Sequence, residues 1–469
     1  MKFMSKLCDG RTVYINGDLV EDVLSIPILS STYEYVCKYY SMQKEYEYHT
    51  YSEEGKKYSK TFYPPKTKKD LEEKRQVYYD ISNESHGMLG RTPDFLNPGL
   101  MSLYFHSEFL GENEYTNFTN NAENYYNYTK KHDIFVSHAS INPQIDRSKQ
   151  ISDLENKYSG VYVKNYDKSN IYVSGAKMIV TLSPLADELL IFNMPGLKSG
   201  DENYAIAFSI PVNTKGIKII SRKTIDKPNF SNFDYPLSNS MEEIDAYVIF
   251  DEVQIPWERV LVFKDIEKSN QFFDRSKIRH HTGHQDITRG LVKLEFLTGT
   301  IIELANILGL DKFINIQEEL GYLTSSIELV KGSIHLCEEN AEYSKGILNP
   351  DIVAIQSVRY HLPFIYKRGI DLLQKLAAGS MLSIPTHKDY KNENGPILKE
   401  SLKSNLSTSE YRTKLLNLSW DITGEAFGQR QKVYEYYHAG DPMRIGANHY
   451  LSYDKEKIIG KVRDLLDTL

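Results

Sequence analysis

Two short stretches carry side chains that can do chemistry. In "HASINPQIDR", residues 138–147, His138 stands ahead of a corner made by Asn142-Pro143, and Gln144, Asp146 and Arg147 follow it. The proline biases Asn142 away from helix, so hydrogen-bonding side chains stand on both sides of a rigid turn. His138, Gln144 and Arg147 can each donate a hydrogen bond. That suits the carbonyls and ring nitrogens of a flavin, or the oxygens of a phosphate. The plainer reading is a buried histidine and an Asp146–Arg147 surface turn. In "GRTPDFLNPG", residues 90–99, Arg91 lies on a loop before Thr92-Pro93-Asp94. A guanidinium fixed there can orient an anion or a phenolate oxygen, or it can pair with a carboxylate. Thr92 or Asp94 is placed to cap the helix that follows.

Three further features are weaker. Thr181 closes a strand in "SGAKMIVTLSPLADELLIF", where its hydroxyl can reach a ligand or cap the turn. "RHHTGHQ", residues 279–285, groups His280, His281 and His284. No cysteine or carboxylate pattern stands near it at ligand spacing, so no metal site is read. It fits a solvated loop or an acid/base group at a pocket mouth. In "YEYYHAGDPMR" the Gly440-Asp441-Pro442 turn presents backbone amides that can hold the end of a nucleotide. Trp257, after a proline, reads as packing.

The elements that must position these residues fall into three consecutive zones. Residues 1–134 carry amphipathic segments such as "KKDLEEKRQVYYDISNES" and are expected to be mainly α. Residues 135–262 hold seven or so short Val/Ile/Tyr/Phe-rich segments, punctuated by Gly, Pro, Asn and Asp, several alternating with period two. That predicts a β-barrel or sandwich, and a barrel is the expected form. Residues 263–469 return to helical spacing, as in Leu291, Leu294, Leu297, Ile301, Leu304 and Leu308, and predict a four-helix bundle. The fold class is therefore α+β.

Composition bounds the function. Of 469 residues, 41% are hydrophobic and 25% charged, and the net charge is −7, so nothing broadly attracts nucleic acid or an anionic membrane. Three cysteines, Cys8, Cys37 and Cys337, form no CxxC pair and suit a reducing compartment such as the cytoplasm. No secretory h-region and no apolar run of about 18 residues is read. A glycine-rich dinucleotide loop, a P-loop, HExxH and GxSxG are all missing, which weakens Rossmann, NTPase, zinc-protease and α/β-hydrolase readings.

Taken in order, "LCDGRTVYINGDLVEDV", "GRTPDF", "HASINPQIDR", "GAKMIVTLSPLADELLIF", "DEVQIPWERV" and "WDITGEAFGQRQKVYE..AGDP" resemble the 4-hydroxyphenylacetate 3-monooxygenase family, the oxygenase component of two-component flavin-dependent aromatic hydroxylases. The resemblance runs nearly end to end. It implies an acyl-CoA dehydrogenase-like fold, assembled as a homotetramer. It implies reduced FAD as co-substrate, delivered by a separate flavin reductase, and O2 as the oxidant of a phenolic substrate that is hydroxylated ortho to its hydroxyl. Arg91 and His138 would be catalytic, and Arg91, Phe95, His138, Asn193 and Met194 would meet the substrate. His138, Ala139, Ser140, Gln144, Ile145, Asp146, Arg147, Thr181, Gly440, Asp441, Pro442 and Met443 would meet FAD, and Arg430 would reach the same cofactor. In related halophenol oxygenases a histidine near "RHHTGHQ" acts as a base. Members acting on 4-hydroxyphenylacetate carry tyrosine where this chain has Phe95, which puts the identity of the phenol in question. The alternatives are a halophenol monooxygenase and an FAD-bound, acyl-CoA dehydrogenase-like enzyme using Glu295 or Glu303. The iron–sulfur dehydratase branch of this fold is set aside, since no cysteine lies between Cys37 and Cys337.

Overall fold

A computed structural model describes residues 7–469. In the first third, strands β1 (Val13–Ile15) and β2 (Asp18–Val20) precede helix α1 (Pro27–Glu45), the hairpin β3 (Thr50–Glu53)–β4 (Lys56–Ser59), and helices α2 (Lys68–Glu84), α3 (Pro93–Phe105) and α4 (Phe118–His132). Local chemistry sets these ends. Pro27 and Pro93 open α1 and α3 at positions where a helix needs no N–H. Thr67 and Asp70 form a reciprocal capping box at the start of α2, and Asn117 caps α4.

The middle third holds β5 (Val136–Ala139), β6 (Tyr162–Tyr166), β7 (Asn170–Lys177), β8 (Glu188–Ile191), β9 (Ile206–Pro211), β10 (Ile217–Ser221), β11 (Ala246–Pro256) and β12 (Val260–Phe263). The expected barrel is not what forms. The strands make a six-stranded sheet, β2-β1-β10-β11-β7-β6, and a four-stranded sheet, β12-β9-β8-β5. Among the described residues a single Ile141–Met178 bridge lies between β5 and β7 outside the named strands. Helices α3 and α4 pack on β5 and β12, so the edges of the smaller sheet are covered and closure is not required. The strands from the first third also join in: β1 runs parallel to β10, with Val13 opposite Ile219. Period-two burial is clean in β10, where Ile217, Ile219 and Ser221 face inward. In β11 a bulge between Phe250 and Val253 shifts the inward set from Ala246, Val248 and Phe250 to Val253 and Ile255.

The last third holds α5 (Ile266–Arg275), α6 (Ile278–Leu308), α7 (Ile314–Glu339), a small hairpin β13 (Glu342–Ser344)–β14 (Ile347–Asn349), and α8 (Ile352–Ala377). It ends with α9 (His387–Lys391), α10 (Gly395–Ser401), α11 (Ser409–Thr423), α12 (Ala426–Tyr437), α13 (Pro442–Ser452) and α14 (Glu456–Leu466). No helix among the described residues is long and apolar enough to cross a membrane. Helix α6 is central and packs on α2, α3, α7 and α8. "RHHTGHQ" is therefore no solvated loop but the first turns of α6. His280 Nδ1 lies 2.8 Å from the Pro350 carbonyl, His281 Nε2 3.2 Å from Asn349 Oδ1 and His284 Nε2 2.8 Å from Glu338 Oε1.

Helices α6 and α12 are joined by buried charge. Arg289 donates to both Glu435 oxygens at 2.6 and 3.1 Å, and Lys293 donates to Glu435 at 2.8 Å and to Gln431 at 2.5 Å. Burial raises the Glu435 carboxyl, but Arg289 and Lys293 outweigh it and hold the group well below the usual carboxylate range. Burial brings Lys293 down to about 8.

Two outcomes follow from this packing. Glu435→Gln leaves buried Lys293 without an anion and Arg289 with Asp286 alone, and its urea midpoint should fall by the equivalent of about 3–5 kcal/mol with the slope unchanged. The second concerns His280 and His281. Burial holds His280 at about 4 and His281 well below 6.5, so both are neutral when folded and protonated when unfolded in mild acid. Stability should fall with pH from about 6.5 towards 4, by roughly 1.4 kcal/mol per unit per histidine. Thermal midpoints across that range should fall, and His281→Gln should flatten the slope.

Candidate active site

Arg91 lies on the loop between α2 and α3. Glu243 fixes the loop by accepting from Gly90 N at 2.6 Å and Arg91 N at 2.8 Å. A side chain at Gly90 would run into the Tyr434 phenol. Phe95 follows one helical turn on, and the Arg91 guanidinium stacks over its ring at 3.9 Å. Arg91 makes no ion pair among the described residues. Its Nη2 donates to the His438 carbonyl at 3.2 Å, and its Nη1 is buried with no partner. Thr92 takes the N-cap position of α3, but neither expected cap forms: its hydroxyl donates instead to Asp94 Oδ1 at 2.6 Å. Gln285 donates to the other Asp94 oxygen at 2.8 Å, and burial raises the Asp94 carboxyl.

His138 reaches the same place from β5. Its ring lies 5.7 Å from Phe95 and stacks on Phe192 at 6.3 Å, and it has no hydrogen-bond partner among the described residues. Burial, then the charge of Arg91, push this imidazole well below 6.5, so it is neutral. Arg91, Phe95 and His138, set apart in the chain, are thus brought together.

The loop after His138 is anchored from below. Buried Lys177 donates to Asn142 Oδ1 at 2.7 Å, Phe192 O at 3.0 Å and Asn193 Oδ1 at 2.8 Å, and burial brings its amine down to about 7. The Asn193 amide is engaged here and with Tyr204 O at 2.7 Å, while Met194 beside it is 40% exposed. Ala139 and Ser140 are buried; Gln144, Ile145 and Arg147 face outward. Asp146 accepts from Ser148 N at 3.0 Å and Ser148 Oγ at 2.6 Å, which shapes the turn.

Thr181 is buried, and its hydroxyl donates to Asp245 Oδ1 at 2.9 Å. Arg430, on α12, holds both carboxylates of this neighbourhood. Nη1 meets Glu243 at 2.7 Å, and Nε and Nη2 meet Asp245 at 3.1 and 2.9 Å. Its guanidinium therefore faces inward. Asp441 caps α13 by accepting from Met443 N at 2.9 Å; Pro442 is buried and Met443 exposed. Gly440 supplies the positive φ, +115°, that turns the chain from α12 into α13.

The histidines of α6 keep the partners given above and do not join the Arg91–His138 group. Glu295 is engaged by Tyr79 at 2.8 Å and Lys331 at 3.2 Å, and Glu303 by Tyr411 at 2.9 Å. Trp257 stacks on Tyr115 at 4.6 Å, as packing.

Two residues at the site were missed in the sequence. Tyr434 and His438 stand one helical turn apart on α12, with ring centroids 4.6 Å apart, and His438 lies 6.1 Å from Phe95. Their i, i+4 spacing inside "YEYYHAG" was the available signal. His438 also meets Asp286, and Arg359 donates to the Ala439 carbonyl at 2.6 Å. The Tyr434 hydroxyl and His438 Nδ1 are buried without partners, like Arg91 Nη1. Orphaned buried donors and acceptors around aromatic rings fit a ligand that combines a ring with a hydroxyl.

Models described as 4-hydroxyphenylacetate 3-hydroxylase N terminal and C terminal match residues 1–262 and 269–467. The 4-hydroxyphenylacetate 3-monooxygenase oxygenase component of Thermus thermophilus is 34% identical over 461 residues, which span 97% of this chain and 94% of that protein. That of Geobacillus sp. is 33% identical, over 99% of this chain and 95% of that protein. A crystal structure of an oxygenase component complexed with FAD and 4-hydroxyphenylacetate has a TM-score of 0.94 at 32% identity, covering 100% of this chain and 98% of that one. With both halves matched and the relatives aligned nearly end to end, the chain belongs to the 4-hydroxyphenylacetate 3-hydroxylase family.

Proposed function

We propose that this chain is the oxygenase component of a two-component flavin-dependent monooxygenase that hydroxylates a 4-hydroxyphenylacetate-like phenol ortho to its hydroxyl. The observation that carries this is the buried, unpaired Arg91 Nη1 beside Phe95 and His138. Reduced FAD supplies two electrons to O2, of which one oxygen atom enters the ring and the other leaves as water. Arg91 Nη1 donates to the phenol oxygen and favours the electron-rich phenolate character that ring oxygenation needs. Neutral His138 stands across Phe95 as the group that hydrogen-bonds at the reacting edge. Phe95 and Phe192 keep the pocket dry, which limits wasteful release of hydrogen peroxide. FAD would be held by the backbone at His138-Ala139-Ser140, by outward Gln144 and Arg147 with Ile145 and Asp146, by Thr181, and by the Gly440–Met443 turn.

The remaining parts of the reading follow the family. A flavin reductase delivers the reduced cofactor in the cytoplasm, and the chain assembles as a homotetramer of an acyl-CoA dehydrogenase-like fold. Residues 1–134, 135–262 and 263–469 act as its helical, sheet and bundle units. Asn193 and Met194 border the substrate, with Asn193 held in place by Lys177. With Phe95 in place of a tyrosine, the site takes 4-hydroxyphenylacetate-like phenols, halophenols among them, with no hydroxyl supplied by residue 95. An acyl thioester dehydrogenase is disfavoured because Glu295 and Glu303 are engaged by other groups.

With a reductase, NADH and a panel of phenols, O2 uptake should yield catechols. Arg91→Met should lower kcat/KM by about 100-fold. His138→Ala should keep consuming O2 but release hydrogen peroxide in place of catechol; hydroxylation at the parent rate would remove His138 from the mechanism. Arg430→Met should loosen both the Arg91 loop and Thr181, seen as weaker FAD binding and a larger peroxide fraction.

A further inference from the structure

The imidazole of His438 is held from one side only. Its Nε2 lies in close contact with the Asp286 carboxylate, off the line of a regular hydrogen bond, while its Nδ1 is buried with no partner. Burial raises the Asp286 carboxyl, but His438, Arg289 and Arg359 outweigh this and keep it ionised. An ionised carboxylate only accepts, so Nε2 carries the ring proton and Nδ1 presents a lone pair. Burial, then Arg91, hold His438 down to about 3, so this tautomer stays neutral at working pH. The ring has Phe95 and Tyr434 as aromatic neighbours, at 6.1 and 4.6 Å between centroids. Arg91 is fixed to the residue's own carbonyl and stacks over the same Phe95 ring, with its Nη1 buried and unpaired. A free donor and a free acceptor thus flank one aromatic wall. A phenolic hydroxyl is complementary to that pair, since its oxygen accepts and its hydrogen is donated.

We infer that His438, positioned by Asp286, is a specificity-determining residue that accepts the hydroxyl hydrogen of the bound phenol at Nδ1 while Arg91 Nη1 donates to the oxygen. This rests on the proposed function and deepens it. The device selects for a free hydroxyl. A phenol satisfies both orphaned atoms, whereas its methyl ether leaves the Nδ1 lone pair buried and unpaired, a kind of mismatch that sites of this sort reject strongly. No bond is made or broken in this step.

The test is calorimetric binding of 4-hydroxyphenylacetate and 4-methoxyphenylacetate to the full chain with saturating FAD. The parent protein should prefer the phenol by at least about 10-fold. His438→Phe should abolish that preference, weakening the phenol and leaving the ether unchanged. His438→Asn places an amide oxygen near the Nδ1 position and should keep most of the preference. His438→Ala carries the same test should the phenylalanine variant not fold. An unchanged phenol-to-ether ratio in His438→Phe or His438→Ala overturns the inference. So does a ratio lost in Tyr434→Phe but kept without His438, which would make the tyrosine hydroxyl the discriminating group. A parent protein that binds neither ligand and hydroxylates no phenol instead overturns the function on which the inference rests.

Discussion

The guanidinium of Arg430 is the constraint on which the site depends. One side chain from α12 holds Glu243 and Asp245, which flank Ile244 just before β11. Glu243 in turn fixes the backbone of Gly90 and Arg91, and Asp245 fixes the hydroxyl of Thr181. Three regions of the chain that meet nowhere in sequence are thereby set by a planar, five-donor group whose fork matches two carboxylates at once. Lysine could satisfy one of these carboxylates at a time, but not hold both in fixed mutual orientation.

A second set of charges fixes α12 itself. Arg289 and Lys293 on α6 converge on Glu435, and Asp286, one turn earlier, meets His438 at the end of the same helix. Burying so many ions is costly, and a well-packed apolar interface would serve stability as well or better. What charge adds is registry: a shift of α12 by one residue would break the contacts of Glu435 and His438 together. The site needs that registry, because Arg91 hydrogen-bonds the carbonyl of His438 rather than any carboxylate. Ionic packing in the interior is thus carried forward to the position of the group at the pocket.

Much of this was legible in the chain, and the reasons divide by range. Segments with clean periodicity, such as Ile217–Ser221 or Leu291–Leu308, give their element type directly. The two motifs around Arg91 and His138 carried enough hydrogen-bonding chemistry to be singled out, and the family resemblance matched the comparisons. The misreadings lie where tertiary contacts decide. "RHHTGHQ" looks polar enough for a loop, yet its histidines find Pro350, Asn349 and Glu338 from elements 50 or more residues away. The barrel failed because strand patterning gives faces but not edges, and here α3 and α4 cover edges that closure would otherwise have paired. The Arg430 hub was invisible for the same reason, since both of its carboxylates lie about 185 residues away.

Phe95 shows how a local change in polarity can be absorbed by the surroundings. An unsubstituted ring at this position cannot hydrogen-bond a ligand, but it gives Arg91 a flat surface on which to stack, which fixes the guanidinium plane without consuming its Nη1. The same ring presents its other contacts to His138 and His438, two neutral imidazoles drawn from β5 and from the end of α12. Polar function around the phenyl ring is therefore moved off residue 95 and onto its neighbours. Each neighbour is positioned by a buried group well behind it: Lys177 for the loop after His138, and Asp286 for His438. A pocket organised in this way can change the phenol it prefers through the residues behind the wall while the wall itself stays apolar.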